Sequence, residues 1–146
     1  MIRVVALVLS LMASLTMPAY ADEGTHRFTV ALPAQWHDAT KVRLVLEGVT
    51  VPGNRPLKLR VTTVTDERQI LVLGSAGIVA VRPTMSEPRR LPTLLIDVTK
   101  SLKALPKRRE GVQNLTIEIL AVDGRNVPLT DLDWSAENVR LEATHR

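Results

Sequence analysis

The sequence predicts an all-β protein: a single antiparallel β-sandwich with one short helix. Apolar and polar residues alternate in several short runs, turn residues separate those runs at short intervals, and only one stretch reads as helical. The 146 residues, with 7 glycines, 9 prolines, 45% hydrophobic and 23% charged residues, have the composition of a globular chain sized for one domain.

The first 21 residues stand apart from that pattern. Arg3 precedes an apolar run from Val4 to Leu15, followed by Pro18 and the small-residue pattern Ala19-Tyr20-Ala21. This is the three-part form of a secretory signal peptide, with cleavage expected after Ala21. The run is about 12 residues long, whereas a membrane-spanning helix needs about 20. The expected organisation is a signal peptide at 1–21 and a β-sandwich domain at 22–146, with a periplasmic or secreted location and no membrane span after cleavage.

The strands follow in order. Thr25 to Leu32 is the first, rich in β-formers. Val42, Leu44 and Leu46 share one side of the second, opposite Lys41, Arg43 and Glu47. Leu57, Leu59 and Val61 against Lys58, Arg60 and Thr62 make a third with one buried face. Ile70 to Leu73 and Gly77 to Val81 read as two strands joined by a turn at Gly74-Ser75-Ala76-Gly77, and Leu91 to Val98 as another. A helix of two turns at most begins near Asp97 or Thr99, either of which can cap it, and runs to Pro106. Leu115, Ile117 and Ile119 against Thr116 and Glu118 mark a strand, and Asn138 to Ala143 is the last. Pro52-Gly53-Asn54, Pro83, Pro88 and Asp123-Gly124 punctuate the series. The spacing is that of a jelly-roll or immunoglobulin-like sandwich.

Composition also bounds the chemistry. With no cysteine there is no disulfide, thiolate metal site, iron–sulfur cluster or cysteine nucleophile. His26, His37 and His145 lack the spacing of converging ligands, and Met85 is the one methionine beyond the signal, so neither a metal nor another cofactor is implied. Ser75, His37 and Asp97 supply the residue types of a hydrolytic triad, but no G-x-S-x-G elbow presents the serine. Asp131 and Asp133 precede Trp134 in a loop, without a DxDxDG calcium pattern. No catalytic apparatus is therefore expected.

Removing Arg3 with the signal leaves 18 basic and 15 acidic residues, too even a balance for a nucleic-acid footprint. The sharpest charge clusters are Lys107-Arg108-Arg109, closing the short helix, and Arg89-Arg90. The basic triplet meets the helix dipole favourably or docks an acidic partner. Trp36 and Trp134 read as core or rim residues, and either is an interface anchor if exposed. Candidate partner contacts are thus Trp36, Trp134, Lys107, Arg108 and Arg109.

Three blocks taken together resemble a known family. They are VRLVLEGVTVPGNRPLKLRV at Val42 to Val61, LLIDVTKSLKAL at Leu94 to Leu105, and LTIEILAVDGRNVPL at Leu115 to Leu129 leading to ENVRLEA at Glu137 to Ala143. In order and spacing they resemble the C-terminal β-sandwich domain appended to bacterial tyrosinase and polyphenol oxidase proteins, the type 3 copper family. The helical catalytic domain of that family, with three histidines per copper, has no counterpart here, so the oxidase activity does not carry over. The resemblance implies a free-standing exported accessory module acting in trans on a type 3 copper oxidase or similar enzyme. The competing expectation is a periplasmic or envelope sandwich that binds a ligand or protein and has no connection to copper. Terminal sequencing of the exported protein should begin at Asp22.

Overall fold

The computed structural model describes residues 24–80, 87–105 and 114–146. Nine strands and one short helix follow one another: β1 (Thr25–Ala31), β2 (Lys41–Glu47), β3 (Thr50–Pro52), β4 (Leu57–Val64), β5 (Ile70–Ile78), β6 (Pro88–Arg90), β7 (Leu94–Asp97), α1 (Thr99–Lys103), β8 (Asn114–Val122) and β9 (Asn138–Thr144). A single 3-10 turn at Trp36–Asp38 links β1 to β2. Every pairing is antiparallel. One sheet runs β1-β8-β4-β5, the second β7-β2-β9, and a two-stranded ribbon joins β3 to β6. The all-β, sandwich-like architecture is that expected from the alternation. Among the described residues no helix is long and apolar enough to cross a membrane.

Alternation decides which face each strand buries. Val42, Leu44 and Leu46 of β2 are at most 1% exposed. They meet Leu57, Leu59 and Val61 of β4 and Leu115, Ile117 and Ile119 of β8 in one hydrophobic cluster. Burying each such side chain contributes about 1.5–3 kcal/mol, which makes this cluster the main source of stability in a chain without disulfides. Trp134 closes one end of it, 2% exposed, and its Nε1–H donates to the Gly24 carbonyl at 2.6 Å. The same carbonyl accepts from Ala121 N–H at 3.1 Å, so the start of β1 is tied to β8 and to the loop before β9.

The chain reverses after β2 at Gly48, whose φ of +62° is a left-handed conformation that β-carbon sterics disfavour. The helix starts where the Asp97 carboxylate accepts both the Thr99 N–H at 3.0 Å and the Thr99 hydroxyl at 2.6 Å. That hydroxyl accepts in turn from Val42 N–H at 2.9 Å, which locks the helix onto the end of β2.

Two expectations are corrected. Gly74-Ser75-Ala76-Gly77 is not a turn: it lies inside β5, and the two strands expected there are one. The small residues serve a close approach, because a Cβ on Gly74 would lie 2.8 Å from Ile96 Cγ2 and 3.1 Å from the Asp97 carbonyl oxygen. A bulge at Leu73, opposite Val61 and Thr62 of β4, absorbs the change of alternation. The strand expected over Leu91 to Val98 is the shorter β7, and Pro88, read as punctuation, pairs with Pro52 in the ribbon. The ribbon is an edge element, where proline is tolerated. The expected signal peptide, Pro83, Pro106 and the Lys107 to Arg109 triplet lie outside the described residues.

Replacing Gly74 by Ala should cost about 1–3 kcal/mol in urea unfolding through overpacking against β7. Gly77→Ala, where a Cβ meets nothing within 4 Å, should leave the midpoint almost unchanged.

Candidate docking surface

The residues singled out for chemistry are dispersed. His26 sits on the inner face of β1, edge-on to Trp134 with ring centroids 4.5 Å apart. His37 stacks on Trp36 at 3.5 Å, and His145 is exposed beside the C-terminus. Among the described residues no three histidine, aspartate or glutamate side chains group as metal ligands. Ser75, His37 and Asp97 fall on β5, the 3-10 turn and β7, with Asp97 engaged by Thr99. Asp131 pairs with Arg55 at 3.1 Å, and Asp133 is exposed in the same loop. Arg90 grips Glu137 through two hydrogen bonds of 2.7 and 2.9 Å, and Arg89 donates to the Val79 carbonyl at 2.8 Å.

Neither tryptophan meets the condition for an interface anchor. Trp36 is 8% exposed and Trp134 2%, both within the hydrophobic core, where their large apolar surface is removed from water. This corrects their reading as partner contacts.

The outer face of the three-stranded sheet is charge-balanced. Arg140 on β9 reaches Glu47 and Glu142, each at 2.7 Å, while Lys41 lies 3.9 Å from Asp97. Hydrogen bonds from Arg140 and Asn138 hold the Glu47 carboxyl below its ordinary range, and Glu47 in turn raises the Arg140 guanidinium. Val45 points to this side, yet is 1% exposed; its cross-strand neighbours are Leu95 and Arg140. The aliphatic stem of a long cation shields an apolar residue in this way while its head stays in water.

The outer face of the four-stranded sheet is built differently. Register places Arg27, Glu118, Thr62 and Val72 in one row across β1, β8, β4 and β5, and Thr25, Leu120, Arg60 and Ser75 in the next. Arg27 and Glu118 pair at 2.6 Å, but Arg60 forms no ion pair among the described residues. Beyond these rows Val64 lies opposite Ile70. Ile70 is 72% exposed, Val64 52% and Val72 39%, making one contiguous apolar corner at the β5 edge. Sequence reading missed this corner, although the signal was present: Ile70-Leu71-Val72-Leu73 is apolar on both faces of a strand. In a sheet with one solvated face, such a run leaves apolar side chains exposed.

Compared with protein-family models, curated proteins and solved structures, the chain finds no match.

The electrostatics make one prediction at the helix start. Hydrogen bonds from the Thr99 side chain and backbone hold the Asp97 carboxyl below its ordinary value of 3.8. A lowered folded-state pKa stabilises the protein above the ordinary value, and that stability is lost as pH falls through the lowered one. The Asp97→Asn variant should therefore be less stable than wild type at pH 7. The gap should narrow as denaturation is followed from pH 5 down to pH 2.

Proposed function

We propose that the protein is an exported, non-catalytic binding module that docks another protein against the outer face of its four-stranded sheet. The observation that carries this reading is the apolar corner of Val64, Ile70 and Val72 on the same face as Arg60, which has no ion-pair partner among the described residues. A contiguous exposed apolar patch rimmed by polar residues is the form of a protein–protein contact, and an arginine beside it supplies orientation. Among the described residues the face carries no aromatic side chain on which a sugar ring or a base could stack. Export is supported by the three-part pattern of residues 1–21.

The partner we propose is an exported enzyme of the type 3 copper oxidase class, which the module stabilises or shields in trans. Its support is the likeness of the Val42 to Val61, Leu94 to Leu105 and Leu115 to Ala143 blocks to the sandwich domain appended to such enzymes. Lys107, Arg108 and Arg109 are a second, electrostatic contact in this reading.

The test is a pull-down from the cell envelope with the tagged mature protein, followed by titration of the purified partner. An Ile70→Lys/Val72→Lys variant, changed only at exposed positions, should retain its strand spectrum while binding falls at least ten-fold, since two desolvated apolar contacts are lost. Binding unchanged in this variant would remove the docking face. Recovery of an envelope protein unrelated to copper oxidases would keep the face and replace the partner.

A further inference from the structure

Among the described residues no strand pairs with the outer edge of β5, which borders the face just described. We propose that this edge pairs antiparallel with the β5 of a second copy. Two four-stranded sheets then join into one eight-stranded sheet about a two-fold axis between Leu73 and Gly74. The proposal does not depend on what the outer face binds, because strand addition uses the backbone edge and keeps the outward side chains on the same side of the joined sheet.

The nature of the edge is the first argument. Sheet edges are normally blunted by charge, and the other edges of the two larger sheets carry it: Arg27 on β1, Asp97 on β7, Arg140 and Glu142 on β9. Over its nine residues β5 has none, and no described strand hydrogen-bonds to its far side.

Register supplies the second. Exposure along β5 shows Ile70, Val72, Ser75 and Gly77 on the outer side and Leu71, Leu73, Ala76 and Ile78 on the inner, with Gly74 turned inward beside Leu73 by the bulge. Residues directly opposed across two strands must share a face. With the axis between Leu73 and Gly74, Ile70 opposes Gly77 of the other copy, Val72 opposes Ser75 and Leu71 opposes Ala76, so every pair over eight residues matches. Moving the axis by one residue in either direction places an inner residue against an outer one. In the matched register each branched side chain also faces a small one, which lets the two edges interlock.

Charge at the two ends of β5 is the third argument. The turn before β5 carries Asp66 and Glu67, with Arg68, and neither acid has a partner among the described residues. At the far end Arg89 holds the Val79 carbonyl and Lys58 opposes Gly77, with Asp123 near Lys58. One end is thus net acidic, and Arg89 sets a cation at the other. Antiparallel two-fold pairing brings Glu67 of each copy beside the Arg89 end of the other, whereas parallel pairing would set acid against acid.

The natural chain is free of cysteine, so engineered thiols report without background. Within one chain, residues 72 and 75 are about 10 Å apart along the strand, beyond disulfide reach, while opposed residues on paired strands lie within it. A Val72→Cys/Ser75→Cys variant of the mature protein, oxidised with diamide, should therefore run as a covalent dimer. Ile70→Cys/Ser75→Cys, which the register separates, should stay largely monomeric. Light scattering of the wild type should show a mass rising to twice the monomer's at high micromolar concentration. The Asp66→Lys/Glu67→Lys variant should weaken this association several-fold. A wild-type chain that stays monomeric at the highest concentration would overturn the proposal, and so would equal cross-linking of the two cysteine variants. Failure here leaves the outer-face reading intact, because self-association is read from the mass and cross-linking of the chain alone, whereas the docking face is read from titration with a different protein.

Discussion

Everything in this molecule depends on burying two strand faces against each other without a covalent staple. A domain of this size can fold on its core alone if that core is continuous. Here β2 makes it so. Paired on both sides, by β7 and β9, it presents Val42, Leu44 and Leu46 to the opposite sheet with almost no exposure. The close fit of Gly74 beneath Ile96 and the lock of Thr99 onto Val42 then fix how β7 and the helix lie against β5 and β2. Removing a hydrogen bond at that lock would loosen a connection; removing Leu44 would open the cavity on which both sheets close.

Where a strand is polar on one face, the period-2 pattern is unambiguous, and β2, β4, β8 and β9 were legible to within a few residues for that reason. The ribbon was not, because three-residue strands are too short to show a period and both contain proline. β5 was split at Gly74-Ser75-Ala76-Gly77 because such a run within a sequence has the composition of a turn. The property that makes it a strand, the lack of room beneath β7, belongs to the tertiary structure. The bulge compounds the difficulty: it reverses the alternation midway, so no single period fits the nine residues.

The candidate site divides along the same line. The sequence shows no ligand spacing among the histidines, and His26 and His37 lie on separate elements against separate aromatic neighbours. The tryptophans were not placeable, because large side chains at strand ends serve core and interface equally well. Their burial depends on loops, as Trp134 shows by reaching across to the Gly24 carbonyl. The apolar corner needed the hairpin register, which puts Val64 opposite Ile70 and turns three scattered β-branched residues into one patch.

The two outer faces differ in a way that favours one of them for the docking we propose. On the three-stranded sheet Lys41, Arg43 and Arg140 are set among Glu47, Asp97 and Glu142, so a partner would have to break pairs already made in order to form new ones. Exposed ion pairs contribute little to stability, but their removal from water on binding carries a desolvation cost. On the four-stranded sheet Arg60 is opposed by Leu120 and Ser75, neither of which answers its charge, and the nearby apolar corner gains by leaving water. A partner binding there as proposed would draw affinity from Ile70, Val72 and Val64 and orientation from Arg60, without first dismantling an existing network.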